Sequence, residues 1–312
     1  MTTLHKTVRE DSTRRRFLGQ VLAAGAAGFV GTRYAIPAGA AESQASQGWR
    51  IGCYTRPWAA YTYDIAFDAI AEAGYRYISF SGIQSATKRV IAPATPMEEA
   101  VKMGEEARRR GLQVLTAYGG RFESDKSVAA GVAGLQRMID NCAAAQVGAV
   151  LIASLGNEKT YDNHCKAIAE ACPYAAEKGV AMVIKPHGGL TCPGPMLRKA
   201  VETVGHKNFR VIYDPGNIYY YSDGQVNPVE DCTVLDGLVT AMCIKDYRHP
   251  KTVSISPGTG QVDFPELMAR LAKGGFTHGP LAVETLAPGD LPHLAQEAVR
   301  ARQFVEKLVA NV

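Results

Sequence analysis

The chain has 312 residues, with 34 basic and 30 acidic side chains and seven cysteines, for a formal charge of +4. All of that excess lies in the first 40 residues, where six Lys/Arg face only Glu10 and Asp11; the remainder holds 28 of each sign. Net charge therefore gives no support to a nucleic-acid surface, and an odd cysteine count without a CxxC pair argues against a disulfide scaffold.

Residues 1–40 read as a targeting segment. Thr13-Arg14-Arg15-Arg16-Phe17-Leu18 is a twin-arginine pattern, an Ala/Gly-rich, weakly apolar stretch follows over 21–30, and Ala38-Gly39-Ala40 offers a small-residue cleavage site. The uncharged run 17–31 falls short of the roughly 20 apolar residues of a spanning helix. The expectation is a twin-arginine signal peptide, engagement of that export machinery, and a periplasmic or extracellular destination. Residues 41–48 follow as a polar linker.

From residue 49, strand-like and helix-like segments alternate without interruption. Strands are expected at 49–54, 75–80, 113–118, 149–154, the apolar run opening 181–190, 209–213, 241–244 and 281–284. Helices are expected at 64–73, 96–110, 127–146, 161–178, 196–204, 228–238, 264–273 and 293–309, three of them stopped by Gly74, Gly111 and Gly179. Alternation of this kind implies an α/β architecture with a parallel sheet covered by helices. Eight repeats favour a single (β/α)8 TIM barrel over 49–312. An open doubly wound sheet usually carries G-x-G-x-x-G after its first strand, and none is present.

In such barrels the chemistry sits where strands run into the following loops. The most informative exit is AMVIKPHGGL, residues 181–190: Lys185 and His187 are two apart, so both lean to the same side. Further on come Asp214-Pro215-Gly216-Asn217, Cys243-Ile244-Lys245-Asp246 and Glu284-Thr285.

Four stretches in order, Tyr213-Asp214-Pro215-Gly216-Asn217, Ile244-Lys245-Asp246, Gly258-Thr259-Gly260-Gln261-Val262-Asp263-Phe264 and Leu281-Ala282-Val283-Glu284, resemble motifs of the xylose isomerase-like TIM barrels. That superfamily includes sugar isomerases and epimerases, hydroxypyruvate isomerase and the endonuclease IV branch, and the resemblance spans residues 51–310. It implies a divalent metal held by Glu, Asp, His and Glu at the exits of strands five to eight. The two glutamates would also move protons on either face of a ketose. Here the second ligand is Asp214 and the fourth Glu284, but Lys185 stands at the first position and Cys243 at the third.

An ammonium at that place repels a nearby cation by several kcal/mol at about 4 Å and an effective dielectric near 20, and a dication more. A conventional Mn²⁺ or Mg²⁺ site is thus disfavoured. Lys185 could replace the metal as an electrophile, act as a desolvated base or Schiff-base amine, or sit in an inert salt-bridge cluster with Asp214 and Glu284. His187 is the candidate proton relay. The catalytic set is therefore Lys185, Glu284 and His187. If a metal binds at all, its ligands are expected to be Asp214, Glu284 and His187, with Cys243 added for a soft ion such as Zn²⁺; as a plain residue Cys243 is a small buried thiol. Asp214, Asn217, Asp246, Arg248 and Trp58 are expected to contact substrate, with Arg56 beside Trp58 on a sugar platform and Tyr219, Tyr220 and Tyr221 near Asn217. Asp246 and Arg248 read equally well as structural partners, and Glu158 as a solvated acid at a helix start. Gly258-Thr259-Gly260 lacks the order of a phosphate loop and reads as a turn.

The expectation for function is an exported sugar isomerase/epimerase-type enzyme that takes a proton next to the carbonyl of a sugar or keto-sugar. Two alternatives stand beside it: a keto-glycoside lyase, in which the same enolate ends in β-elimination, and a non-catalytic carbohydrate-binding protein. Phosphodiester cleavage of the endonuclease IV type would need a His-rich metal cluster that the strand exits lack. The sequence specifies no oligomeric state.

Overall fold

A computed structural model describes residues 48–82 and 91–310. The targeting segment expected over 1–40, and nearly all of the linker, lie outside the described residues. Eight strands, β1 (Trp49–Tyr54), β2 (Tyr77–Phe80), β3 (Gln113–Tyr118), β4 (Ala149–Ile152), β5 (Ala181–Ile184), β6 (Phe209–Tyr213), β7 (Val239–Ile244) and β8 (Gly279–Val283), pair in chain order. The pairing of β8 with β1 is parallel and closes the barrel, with Cys53 beside Val283. The TIM barrel expected from the eight repeats is the fold observed.

The helices of the outer layer are α1 (Tyr63–Glu72), α2 (Met97–Arg109), α3 (Val128–Ala145), α4 (Tyr161–Glu177), α5 (Gly194–Val204), α6 (Pro215–Tyr221), α7 (Pro228–Asp231), α8 (Phe264–Lys273) and α9 (Leu291–Val309). Gly74, Gly111 and Gly179, after α1, α2 and α4, have φ of 87°, 73° and 70°, the left-handed conformation that glycine adopts without steric cost.

Two elements depart from the sequence reading. The segment after β6, expected as a loop, is the helix α6: Asp214 caps it by accepting the Asn217 N–H at 2.9 Å, and Pro215 occupies the first turn. The helix expected over 228–238 breaks into α7 and a 3-10 turn, Cys232–Leu235. At the break, Asp231 spends its carboxylate on the Gly194 N–H and the Tyr213 hydroxyl, and the Thr233 hydroxyl donates to the Glu230 carbonyl. Side-chain bonds of this kind compete with helix continuation.

Strand alternation sorts the core into two layers. Residues such as Ile184, Val211, Ile244 and Val283 face outward against the helices. Tyr54, Tyr118, Leu151, Val183, Ile212, Ala241, Cys243 and Ala282 fill the barrel interior. The seven cysteines are free thiols, all buried except the half-buried Cys192.

Candidate active site

The inner layer places the site by simple counting. Two residues beyond Val183, Ile212, Cys243 and Ala282 stand Lys185, Asp214, Lys245 and Glu284, and a two-residue step keeps a side chain on the same face; Arg56 joins them from the 3-10 turn Arg56–Trp58 after β1. These five ionisable groups converge at the C-terminal mouth of the barrel. The Lys185 ammonium lies 3.0 Å from Asp214 Oδ2 and 2.5 Å from Glu284 Oε2. Lys245 Nζ donates to Asn217 Oδ1 at 2.8 Å and to Glu284 Oε1 at 3.1 Å, with Asp214 Oδ2 at 3.7 Å. Arg56 Nη1 reaches the same Glu284 Oε1 at 2.7 Å. Lys185 and Asp214 are 0 % exposed, Lys245 2 % and Glu284 3 %, so four of the five charges are held away from water.

Such burial is tolerated because each charge has close partners of opposite sign. Burial alone would pull the Lys185 amine down; the acidic groups Cys243, Glu284 and Asp214 around it outweigh that and hold it well above its ordinary value. Cys243 is itself pushed well up by burial, which keeps it a neutral thiol, so the two carboxylates carry the attraction. Burial would raise the Glu284 carboxyl, but Lys185, Lys245 and Arg56 hold it well below the usual carboxylate range. Lys185 is thus a fixed ammonium. These pairs favour the ammonium form of Lys185 over the free amine that a base or an imine-forming group needs.

The donor set does not fit the divalent metal that the fold family implies. Asp214, Cys243 and Glu284 are the described His, Cys, Asp or Glu side chains whose donor atoms lie within 4.8 Å of one another. The Lys185 ammonium already contacts both carboxylates and lies 3.9 Å from Cys243 Sγ, which puts a fixed positive charge among the three candidate ligands. His187, expected as a ligand if a metal bound, is not part of this group.

His187 does lean toward the mouth, as its spacing from Lys185 predicts. Its ring nitrogens lie 2.9 Å from the Tyr118 hydroxyl, and burial followed by the Lys185 charge pushes its imidazole down to about 3. It is therefore a neutral hydrogen-bonding partner at physiological pH.

Above the cluster opens a cavity of about 400 Å³. Arg56, His187, Asn217 and Lys245 line its lower part, and Tyr220, Tyr221 and residues 251–254 complete the lining. Asn217 is fixed by its amide, which donates to the Pro186 carbonyl at 2.6 Å. Gly188, with φ of 78°, leaves room for the Tyr221 ring, since a Cβ there would come within 2.7 Å of it.

Three residues expected at the substrate lie elsewhere. Trp58 is fully buried in the core, turned inward by the 3-10 turn Arg56–Trp58 after β1. Asp246 accepts the N–H groups of Tyr247, Val262, Gly258 and Gly260 at 2.8, 3.1, 2.9 and 2.7 Å. Its carboxylate organises a loop and has no capacity left for sugar hydroxyls. The exposed Arg248 donates to the Thr259 carbonyl at 2.7 Å, tying two loops together. Glu158 is exposed on the loop after β4. The Gly258-Thr259-Gly260 stretch is the turn expected, and a Cβ on Gly260 would come within 2.3 Å of Asp246 Oδ1. The sequence reading passes over Lys245 and Tyr118; the two-residue step from Cys243 finds the first, and contact with His187 and with the Lys185 ammonium, 5.5 Å from the ring centroid, marks the second.

A closed parallel barrel with its ionisable groups gathered at the C-terminal mouth belongs to the class whose active sites sit at that face. The sequence matches the family described as xylose isomerase-like TIM barrel over residues 67–308, and the chain belongs to that family. No curated protein matches it. Among solved structures it is similar to a xylose isomerase domain protein from Planctomyces limnophilus, at 17% identity, covering 83% of this chain and 97% of that one, with a TM-score of 0.63. It is likewise similar to an L-ribulose 3-epimerase, at 17% identity with 84% and 94% covered and a TM-score of 0.65. For the D-psicose 3-epimerase from Clostridium cellulolyticum H10, crystallised with D-tagatose, the values are 14%, 83%, 99% and 0.65. At these identities the likeness is one of fold.

Two predictions come from the cluster. Glu284 ionises more easily in the fold than its ordinary value of 4.5, so its contribution is present above that pH and is lost as pH falls through the lower folded value. Lys185, raised above 10.5, contributes fully below that pH and loses its contribution as pH rises through the higher folded value. Urea unfolding across the range should therefore show these two contributions intact from about pH 5 to 10 and declining outside it. In the second, chelator treatment leaves the melting temperature unchanged and elemental analysis finds no stoichiometric divalent metal; tight binding of Mn²⁺ or Mg²⁺ that raises the melting temperature would overturn the description of Lys185.

Proposed function

We propose that this chain is a sugar isomerase/epimerase-type enzyme that moves a proton next to the carbonyl of a keto-sugar, using fixed cationic side chains where its relatives' motifs imply a metal. Family membership supports the class, and two of the similar solved structures are ketose 3-epimerases. The observation that carries the mechanism is Glu284, a carboxylate held among Lys185, Lys245 and Arg56 directly beneath a cavity that two of those cations line.

Glu284 takes the proton from the carbon next to the carbonyl. The C–H electron pair becomes the new C=C bond, and the carbonyl π pair moves onto oxygen, where Lys245 faces the developing charge. Asn217 orients the substrate through the amide that Pro186 and Lys245 fix. Lys185 works from below, holding Glu284 and Asp214 in place. Ion pairing weakens Glu284 as a base, and Lys245 offsets this by stabilising the enolate. The proton then returns from Glu284 to the former carbonyl carbon, which takes the C=C electron pair, while the hydroxyl proton of the neighbouring carbon passes to the enolate oxygen and the carbonyl is re-formed one carbon along. Inversion at one carbon calls for a second group on the opposite face, the role that the family resemblance gives to the residue at Lys185. A single base therefore suits isomerisation better than epimerisation. β-Elimination from a keto-glycoside shares the first step and differs in that the glycosidic oxygen leaves with its electron pair.

The triple ion pairing of Glu284 also favours a second reading, a carbohydrate-binding protein that performs no chemistry. NMR of a keto-sugar panel in D2O separates the two: the enzyme exchanges the proton next to the carbonyl, and Glu284→Gln lowers that rate about 10²–10⁴-fold. Saturable binding with no exchange over long incubation would establish the second reading.

We further propose that the protein is exported folded through the twin-arginine route, on the strength of the Arg14-Arg15 pair and the small-residue site at 38–40. Substituting both Arg14→Lys and Arg15→Lys should retain the protein in the cytoplasm, as read by cell fractionation; unchanged export would refute it.

A further inference from the structure

The site's charges do not balance among the described residues. Arg56, Lys185 and Lys245 supply three positive charges, and Asp214 and Glu284 supply two negative ones. Lys251, on the cavity wall, is matched by Asp223 at 2.6 Å and adds nothing to the sum. None of the residues lining the cavity is acidic. The surplus is located as well as counted. Lys245 already has Asn217 and both carboxylates, and Lys185 lies wholly beneath the floor. Among the described residues Arg56 has only its Nη1 engaged, by Glu284, while its side chain remains 41% exposed at the cavity. The unused donors form a fork suited to a planar anion. A neutral ligand closing this cavity would leave the surplus charge desolvated and unpaired, which is costly. A ligand carboxylate would remove that cost.

We infer that the ligand of this site is a sugar acid, a keto-sugar whose carboxylate pairs with Arg56 while its carbonyl end lies over Lys245 and Glu284. The assignment rests on the proposed function for the carbonyl chemistry, and on the charge surplus alone for the carboxylate.

The test compares ketoses with and without a terminal carboxylate: D-fructuronate against D-fructose, and D-tagaturonate against D-tagatose, by calorimetric titration of the purified protein. At least one uronate should bind about tenfold or more tightly than its neutral counterpart, an advantage that shrinks as salt is raised. Arg56→Gln should cut the preference to about threefold or less, and Arg56→Lys should keep part of it. The salt dependence of the unaltered protein provides the readout if a variant fails to fold. Uronates that bind no better than the neutral ketoses, with weak binding of both included, would overturn the inference, as would a preference that Arg56→Gln leaves intact. Binding and chemistry fail separately. A uronate preference without deuterium exchange leaves the sugar acid in place and removes the isomerisation; exchange on neutral ketoses without a uronate preference does the reverse.

Discussion

Everything at the mouth of this barrel depends on one carboxylate being shared. Glu284 offers one oxygen to Lys185 and the other to Lys245 and Arg56, so three cations from three different strand exits are fixed by a single side chain. Burying an ion costs several kcal/mol even after relaxation, and only close opposite charges with good geometry offset it. The cluster is therefore tightly determined. Asp214 adds a second constraint, because one oxygen pairs with Lys185 while the other caps α6. The start of that helix and the charge state of the floor are one structural decision.

The cavity walls are organised with less charge. Asp246 gathers four backbone amides and pins the stretch from 258 to 262 against the end of β7, which is why Gly260 must lack a side chain. Neighbouring residues in the sequence thus divide the labour. Lys245 turns into the mouth and Asp246 turns away to hold the loop, as strand alternation requires.

The fold was readable because its signals are local and repeated: short apolar strands, helix faces, and glycines where helices stop. Lys185, Asp214 and Glu284 could be singled out as strand-exit residues, and their meeting follows from the closed ring. Lys245 was equally accessible by the same two-residue step and was overlooked beside the more conspicuous Asp246. Trp58 could not be placed in this way, because the 3-10 turn after β1 breaks the alternation and swings the indole into the core. The ionisation of Lys185 was also beyond the sequence. A lysine at a strand end is a free amine or an ammonium according to partners that lie 29 and 99 residues away along the chain.

The contact between Arg56 and Glu284 joins residues 228 positions apart, the exit of the first strand to the exit of the last. β8, paired with β1 and β7, carries the carboxylate that three of the cations at the mouth share, and Asp214 alone would not balance them. Arrival of the final strand supplies both the missing edge of the sheet and the missing negative charge. The strand that closes the ring thus also carries the carboxylate that completes the site, and a chain cut short before residue 284 lacks that carboxylate.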